Sequence, residues 1–451
     1  MKLVLIFSLV VLVVSAMPNG QAPEGQTWVV LCSGGIGWGN YAISSNVYHA
    51  YQTVKKQGIP DKNIIVMHYD DLANSKSNPT PGVVVNELNG TDVYKGVPKD
   101  YVGADVIPQN FLDVISGEAA LEAKGKRVVK SGPKDNIFVY FMDHGSQGSV
   151  LFPKGYLYAD DLNNRLKKMN QEQKFAKLVF YLEACDSGSM FEKHLPTDIN
   201  VYAITSSRYN ELSWMCTHDT YRKTYLGGWF GVNWLFDSEH NDPQVEILDK
   251  QYNYIVEHNN FTMDNATHSQ NAQHYGDLKI AQQHISDFLG AKKVPPTGAN
   301  SVAVPANAEF VNFRDIPIKL AEKNIQSTND IYEKQIYVDE LSRLLKGRQY
   351  VDKHLRAFVD SVHHMTRLDT NALLNSKLEL SEDMTCYKKF VDTFHDKCFN
   401  MNKNTYAFSK IHVFNNICNQ MINDNHVDVA VAFLGQYCTQ NSVSGYMTNI
   451  E

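Results

Sequence analysis

Five short, almost uninterrupted apolar runs constrain the fold of this chain more than any other feature. They lie between Thr27 and about Ser206, polar or Gly/Pro-bearing segments separate them, and they read TWVVLCS, NIIVMHY, NIFVYFM, KLVFYLEA and INVYAIT. Strands that are continuously apolar are buried on both faces, as in parallel sheets covered by helices. The sequence therefore predicts an α/β domain with a mostly parallel sheet flanked by helices.

Four segments of different character follow one another along the 451 residues. Residues 1–16 place a lysine before an apolar run that ends at small residues, which is typical of a signal peptide, and the run is too short to span a membrane. Residues 17–289 hold the five apolar runs, and residues 290–330, rich in Pro, Ala and Asn, are typical of a linker. Residues 331–451 carry apolar positions at helical spacing, which predicts a mainly helical C-terminal domain.

The charge of the chain argues against nucleic acid as a partner. The net charge is -7, the pI is near 6.1 and no long Lys/Arg run occurs. Proteins that bind nucleic acid usually present a basic patch or stripe. The apolar content of 43% and charged content of 20% are ordinary for a folded globular protein.

Entry into the secretory pathway gives a chemical meaning to sequons and cysteines. Three N-x-S/T sequons become candidate glycosylation sites, at Asn89, Asn260 and Asn265. Four of the seven cysteines crowd the last stretch, at Cys386, Cys398, Cys418 and Cys438. In an oxidising compartment such a cluster indicates two disulfides, and the alternative, a zinc site, lacks a close C-x-x-C pair. Because the count is odd, at least one thiol stays free.

Two of the apolar runs end in residues that can act together chemically. NIFVYFM leads into His144 and Gly145, and KLVFYLEA leads into Cys185. If these strands are adjacent and parallel, the imidazole and the thiol emerge side by side at the edge where functional groups of open α/β sheets gather. An imidazole activates a thiol, and the backbone N–H groups of Gly145 and Cys185 could stabilise an oxyanion. A lone Cys or His is more often structural, but the pair predicts a nucleophile and its base.

The sequence around these strand ends is similar to that of a known family. FMDHGSQG followed by FYLEACDSGSM, supported by NPTPGVVVN, NGTDVYKGVPKDY and TYLGGWFGVNW, resembles the legumain family of clan CD peptidases, relatives of caspases. The likeness extends over nearly the whole chain. It implies a caspase-like sheet and a cysteine endopeptidase that needs neither a metal nor an organic cofactor. It also implies site roles: Cys185 is the nucleophile, His144 the base, Gly145 an oxyanion donor, and Asn40 the side chain that orients the imidazole.

The resemblance further implies that the chain is an inactive precursor. The linker and the helical domain correspond to an activation peptide and a C-terminal prodomain, which covers the active site at neutral pH and is released in acid as interface carboxylates are protonated. By the same analogy, Cys386 pairs with Cys418 and Cys398 with Cys438. The expected partners are protein or peptide substrates, the prodomain as an intramolecular inhibitor, and cystatin-type inhibitors. The expected location is lysosomal or endosomal, or outside the cell.

The substrate pocket departs from the family pattern. Family members cut after asparagine because an Arg, a Glu and an Asp meet both ends of the P1 carboxamide. Here only Glu183 remains, since Ala42 stands at the Arg position and Gly228 at the Asp position. A site without these groups loses its discrimination for a polar side chain, so an altered P1 preference is predicted, for a larger apolar or a basic residue. The alternative is a pocket refilled by other polar residues, namely Ser44, Ser45, Arg208 or Ser213.

Two other functions stay open at the level of sequence. An amine can replace water in attacking a thioester, which would make the enzyme a transpeptidase or ligase of the same fold. The lost pocket charges could instead mark a catalytically weak binding paralogue. Retention of the nucleophile, the base and the two residues that assist them argues against the paralogue.

Overall fold

The computed structural model of the protein describes residues 25–263, 266–293 and 309–445. The predicted signal peptide, the sequon asparagine Asn265 and the middle of the predicted linker lie outside the described residues. Within the described ranges, no helix is both long and apolar enough to cross a membrane.

The secondary structure alternates strands and helices up to about residue 289 and is mainly helical afterwards. The strands are β1 (Thr27–Ser33), β2 (Ile64–His68), β3 (Tyr101–Val102), β4 (Asn136–Met142), β5 (Gly145–Ser146), β6 (Ser149–Leu151), β7 (Tyr156–Tyr158), β8 (Lys177–Glu183), β9 (Val201–Thr205), β10 (Trp214–Asp219), β11 (Thr224–Gly228), β12 (Asn260–Met263), β13 (Ala266–Ser269), β14 (Gln273–Gly276) and β15 (Phe310–Asn312). The α-helices are α1 (Tyr41–Lys56), α2 (Pro108–Ser116), α3 (Ala119–Glu122), α4 (Ala159–Gln171), α5 (Trp229–His240), α6 (Leu248–His258), α7 (Ser286–Leu289), α8 (Ile316–Ser327), α9 (Ile331–Val362), α10 (Thr370–Asn375), α11 (Thr385–Lys397), α12 (Thr405–Phe408), α13 (His412–Gln420) and α14 (Val427–Gln440).

The central sheet has seven strands in the order β14, β9, β8, β4, β1, β2, β3. All neighbours pair in parallel except β14, which is antiparallel to β9. The five apolar runs form β1, β2, β4, β8 and β9. Alternate residues of β1 belong to two different apolar clusters, Val30 and Cys32 to one and Val29 and Leu31 to the other. The predicted sheet, mostly parallel and buried on both faces, is confirmed.

The pairing of β4 with β8 sets the edge at which chemistry can occur. These strands are adjacent and parallel, and Met142, the last residue of β4, is the partner of Glu183, the last residue of β8. His144 and Cys185 each lie two residues beyond this pair. Equal offsets from a parallel pair place both residues at the carboxyl edge of the sheet.

A second sheet lies next to this edge and takes one strand from the predicted linker. β10 pairs antiparallel with β11 on one side and with β15 on the other. The second half of residues 290–330 therefore contains a strand and a helix, β15 and α8, where the sequence predicts a linker. The linker prediction rested on the content of Pro, Ala and Asn, but Pro317 lies in the first turn of α8, where proline is tolerated.

The C-terminal region is helical and carries both predicted disulfides. One joins Cys386 on α11 to Cys418 on α13, and the other joins Cys398 to Cys438 on α14. The four sulfur atoms are bonded in pairs, which excludes the zinc alternative. The remaining free cysteines among the described residues, Cys32, Cys185 and Cys216, are buried.

Candidate active site

The nucleophile loop that follows β8 is held by a cluster of serines. The carbonyl oxygen of Ala184 accepts hydrogen bonds from the hydroxyls of Ser206 (3.1 Å), Ser207 (3.0 Å) and Ser213 (2.8 Å). The backbone N–H of Ser213 donates to Cys185 Sγ at 3.3 Å. Side chains and backbone that follow the neighbouring strand β9 thus fix the backbone before the thiol and contact the thiol itself.

His144 contacts Asn40, the residue to which the resemblance assigns an orienting role. His144 Nε2 lies 2.9 Å from Asn40 Oδ1, while Asn40 Nδ2 donates to the carbonyl of Ile36 at 2.8 Å. Because the amide nitrogen already donates to a carbonyl, the oxygen faces the ring and must accept. The proton of the neutral imidazole therefore resides on Nε2, which leaves Nδ1 as the basic nitrogen.

Gly145 lies where any larger residue would collide with the nucleophile loop. A Cβ atom at Gly145 would come within 2.1 Å of the Cys185 carbonyl oxygen and 2.9 Å of Ala184 Cβ. Leu151 N–H donates to the His144 carbonyl, and Gly145 faces Val150 in the β5–β6 hairpin. Since antiparallel pairs alternate, the pair of Gly145 and Val150 is the non-hydrogen-bonded one, and the Gly145 N–H points away from the hairpin.

The thiol and the imidazole are both held in their neutral forms. Burial and, to a smaller extent, the positive charge of Arg314 together lower the pKa of His144 to about 4. Burial also raises the pKa of the Cys185 thiol, while Arg314 acts in the opposite direction. Cys185 is 1% exposed and His144 6%. Burial therefore opposes formation of a thiolate and an imidazolium in the described form.

Two cations from outside the α/β domain meet at Asp186, the residue after the nucleophile. Arg314, which follows β15, lies 2.6 Å from Asp186 Oδ2, and Lys377, in the helical region, lies 2.5 Å from Oδ1. Asp186 is fully buried and has a left-handed backbone with φ 55°. Ion pairs from two separate segments therefore close over the active site.

The helical region also contacts the hairpin beside His144. The Gln147 side-chain amide donates to the Leu378 carbonyl, and Asn415 donates to Gln147 Oε1 at 3.2 Å. Further along, Asp392 accepts from the hydroxyls of Tyr156 and Tyr158, both at 2.7 Å. The helical region thus covers β5, β6 and β7 as well as Asp186.

Glu183, the charged residue predicted to bind the substrate, is a buried carboxylate beside Gly228. Glu183 is fully buried, and its Oε2 accepts from Tyr140 OH at 2.6 Å and from Asn46 Nδ2 at 3.3 Å. Burial raises the pKa of Glu183 to about 7, although these donors oppose the shift. A Cβ at Gly228 would lie 2.3 Å from Glu183 Oε1 and 2.4 Å from Met142 Cε. The space that a side chain would need at Gly228 is therefore occupied by Glu183 and Met142.

The residues considered as substitutes for the lost charges have other hydrogen-bond partners or lie at the surface. Ser44 contacts Ser33 Oγ at 2.7 Å, Ser45 donates to the Leu226 carbonyl, and Ser213 donates to the Ala184 carbonyl. Arg208 is exposed at the surface. Ala42 itself is buried, with 2% exposure.

Several of these contacts were missed by sequence reasoning. Arg314 and Lys377 lie 128 and 191 residues from Asp186 in sequence, and no local pattern connects them. Ser206 and Ser207 could have been found, because they follow β9 at the same sheet edge. Of the sequon asparagines, Asn89 and Asn260 are exposed.

Comparisons with known proteins agree over most of the chain. The sequence profile of the Peptidase C13 family matches residues 27–291, and the legumain prodomain profile matches residues 339–435. Legumain from Bos taurus is 40% identical over 400 residues, covering 87% of this chain and 89% of the relative. Legumain from Homo sapiens is 39% identical over 416 residues, covering 91% and 93%. Vacuolar-processing enzyme from Vicia sativa is 35% identical over 420 residues, covering 89% and 84%.

A solved structure, caspase-1 from Spodoptera frugiperda, covers 56% of this chain and 86% of its own, with 9% identity and a TM-score of 0.34. A TM-score this low does not support a fold assignment, so the fold is defined by the strand order and pairing given above.

Proposed function

The chain belongs to the peptidase C13 (legumain) family and is a cysteine endopeptidase with a C-terminal prodomain, and from this premise we propose that acid activates it and that its P1 specificity is altered. The observation that carries the proposal is the register of β4 and β8, which brings His144 and Cys185 to one edge, with His144 bonded to Asn40. The site residues and their roles are part of the proposal.

In the proposed reaction, Cys185 attacks the carbonyl carbon of the scissile peptide bond. The thiol proton passes to His144 Nδ1, the Sγ–C bond forms, and the carbonyl electron pair moves to oxygen. The N–H groups of Gly145 and Cys185 stabilise that oxyanion, and such a donor contributes about 10²- to 10³-fold in rate. The imidazolium then protonates the leaving nitrogen, the oxyanion reforms the carbonyl as the C–N bond breaks, and a thioester remains. Water, deprotonated by the same imidazole, hydrolyses the thioester and regenerates the thiol.

Release of the prodomain in acid is supported by ion pairs that involve carboxylates. Arg348 on α9 donates to Asp315 Oδ1 at 2.6 Å. Although burial raises it, hydrogen bonding to Arg348 holds the pKa of Asp315 below its usual value. Because the pKa of Asp315 is lower in the folded state, the ion pair with Arg348 stabilises the fold above the unfolded pKa. This stabilisation is lost as the pH falls through the folded pKa. Glycosylation at Asn89 and Asn260 and a lysosomal, endosomal or secreted location belong to the same proposal.

The altered P1 preference is supported by the missing charges at Ala42 and Gly228. Glu183 remains, but its carboxylate is buried against Tyr140 and Asn46. An asparagine carboxamide would find no donor for its oxygen from either changed position, and an unpaired buried polar group is costly.

A restoration experiment tests this part of the proposal. We expect the wild-type enzyme to cut peptides of a P1-diverse library at acidic pH without a preference for asparagine, and a Cys185→Ala variant to cut none. The variant Ala42→Arg, which returns a donor without adding a side chain at the crowded Gly228 position, should gain at least about tenfold in relative cleavage after asparagine. A wild-type enzyme that already cuts mainly after asparagine would refute the altered specificity, and equal background cleavage by Cys185→Ala would refute the role of the thiol.

A further inference from the structure

β15 lies on β10 as an extended peptide would lie on an open strand edge. Trp214, Met215 and Cys216 face Asn312, Val311 and Phe310 in antiparallel register. Peptides commonly bind proteins by adding such a strand, with main-chain hydrogen bonds for affinity and side-chain pockets for specificity. β10 begins right after Ser213, which contacts Cys185. The residues paired with β10 can therefore be counted from the position of Cys185.

Phe313 is the residue of this segment that meets the catalytic pair. Its N–H donates to the Ser213 carbonyl at 3.0 Å, while the N–H of Ser213 donates to Cys185 Sγ at 3.3 Å. The Phe313 ring lies edge-on to the His144 ring, with centroids 6.1 Å apart. It is fully buried and belongs to the same apolar cluster as Cys185 and Ala42.

The chain beyond Phe313 passes the nucleophile and is anchored there. Arg314 pairs with Asp186, the neighbour of Cys185. Asn312 Oδ1 accepts from the N–H groups of Arg314 and Asp315, both at 3.1 Å, which turns the chain away from an extended path. Arg348 then binds the Arg314 carbonyl. The segment is thus held on both sides of Cys185.

We propose that Phe313 occupies the position of a substrate's P1 residue and that the active enzyme cuts preferentially after large apolar, especially aromatic, residues. This inference rests on the proposed cysteine peptidase function and names its substrate class. In this register Asn312, Val311 and Phe310 stand for P2, P3 and P4, and Arg314 for the first residue after the cut.

The chemistry of the pocket fits an apolar occupant better than a polar or basic one. Ala42 and Gly228 supply no charge. Glu183 Oε1 has no hydrogen-bond partner among the described residues and could attract a cation, but the side chain is 0% exposed and its Oε2 is engaged by Tyr140 and Asn46. The Ser213 hydroxyl is committed to the Ala184 carbonyl. A buried ring gains from leaving water and needs no polar partner, whereas an amide or ammonium group would.

The decisive test compares thiol-directed peptide probes that differ only at P1. Peptidyl acyloxymethyl ketones with Phe, Leu, Asn, Arg or Asp at P1 are incubated with full-length protein at neutral and acidic pH, and labelling of Cys185 is followed by intact mass. We expect the Phe and Leu probes to label at least about tenfold faster than the Asn and Arg probes, since a buried large apolar side chain gives 10- to 100-fold. The comparison is between labelling rates of different probes on the same protein preparation, so a difference in folding between variants does not affect it.

Variants of the segment test whether Phe313 itself fills the pocket. Phe313→Asn and Phe313→Gly should raise labelling of the intact chain, whereas Phe313→Leu should keep it slow. Phe310→Ala is the matched control. It also removes a buried ring from β15, but this ring packs against Trp229 and Phe261 and not against His144. An equal rise in labelling for Phe310→Ala and Phe313→Asn would mean that β15 has generally loosened, and it would overturn the assignment of Phe313.

The outcomes separate this inference from the function on which it rests. Fastest labelling by the Asn or Arg probe overturns the apolar P1 preference and leaves a cysteine peptidase. Failure of every probe and of iodoacetamide to modify Cys185, in all variants and at both pH values, overturns the proposed function itself.

Discussion

Replacing His412 by glutamine should reduce the dependence on pH of the stability of the closed form, in which the C-terminal segments cover Asp186. His412 begins α13 and is buried, with its Nε2 3.1 Å from the Leu374 carbonyl. Burial and the positive charges of Lys377 and Arg314 together lower the pKa of His412 to about 4. The Leu374 carbonyl and Asp186 act in the opposite direction but are outweighed. His412 therefore stays neutral beside the ion pairs that cover Asp186.

The sign and size of the effect follow from linkage. A histidine in the open or unfolded chain has a pKa of about 6.5, so between pH 6.5 and 4 the open chain binds a proton that the closed form does not. Stability is fully present above about pH 6.5 and is lost as pH falls towards 4. With a folded pKa of about 4, the loss between pH 7 and pH 5 is about 2 kcal/mol. One side chain would thus change the ratio of closed to open molecules by about 30-fold.

The assay is thermal unfolding of full-length protein between pH 7 and pH 4, in a Cys185→Ala background that prevents self-cleavage. His412→Gln removes the titration and retains an amide that can donate to Leu374. Its stability at pH 7 can differ from that of the parent, but its loss from pH 7 to pH 5 should be about 2 kcal/mol smaller. His364→Gln, an exposed histidine in the same region, is the control and should leave the slope unchanged. Parallel pH profiles for the parent and His412→Gln would refute the reasoning.

Three further predictions concern the catalytic edge and the disulfides. Asn40→Ala should lower kcat by about tenfold or more with little change in KM and shift the acid limb of the pH profile, because the imidazole loses its orienting acceptor; a change in KM alone would contradict this. Gly145→Ala should abolish activity and lower the melting temperature, because its Cβ would lie 2.1 Å from the Cys185 carbonyl. Wild-type kinetics would contradict this and show that the loop containing Cys185 can shift to make room. Cys386→Ser/Cys418→Ser opens a loop with a sequence separation of 32, which should cost about 3 to 4 kcal/mol in denaturant unfolding of the C-terminal region; an unchanged midpoint would speak against it.

The sheet and the placement of His144 and Cys185 at one sheet edge could be predicted from sequence because each rests on a local pattern. Apolar runs bury themselves on both faces, and His144 and Cys185 each follow such a run. Asn40 ends a single 3-10 turn, Trp38–Asn40, which leaves no periodic signal, so only the family resemblance pointed to it.

The inhibitory contacts could not be predicted in this way. Arg314 and Lys377 reach Asp186 only after the C-terminal segments have packed on the α/β domain, and a surface cation gives no sign of its partner in sequence. β15 was missed because a three-residue strand without alternation is stabilised by its edge partner β10 rather than by its own sequence.

Arg314 links the closure of the active site to its loss of reactivity. In the closed form it pairs with Asp186 and, together with burial, helps to lower the pKa of His144 to about 4. Departure of the segment would remove both the cation and the cover, so the imidazole would regain water and a higher pKa. His144 would then bind a proton in the open form that it does not bind in the closed one, as His412 does. Acid therefore favours opening through both histidines, and the same step that exposes Cys185 returns to His144 the basicity that it needs to take the thiol proton.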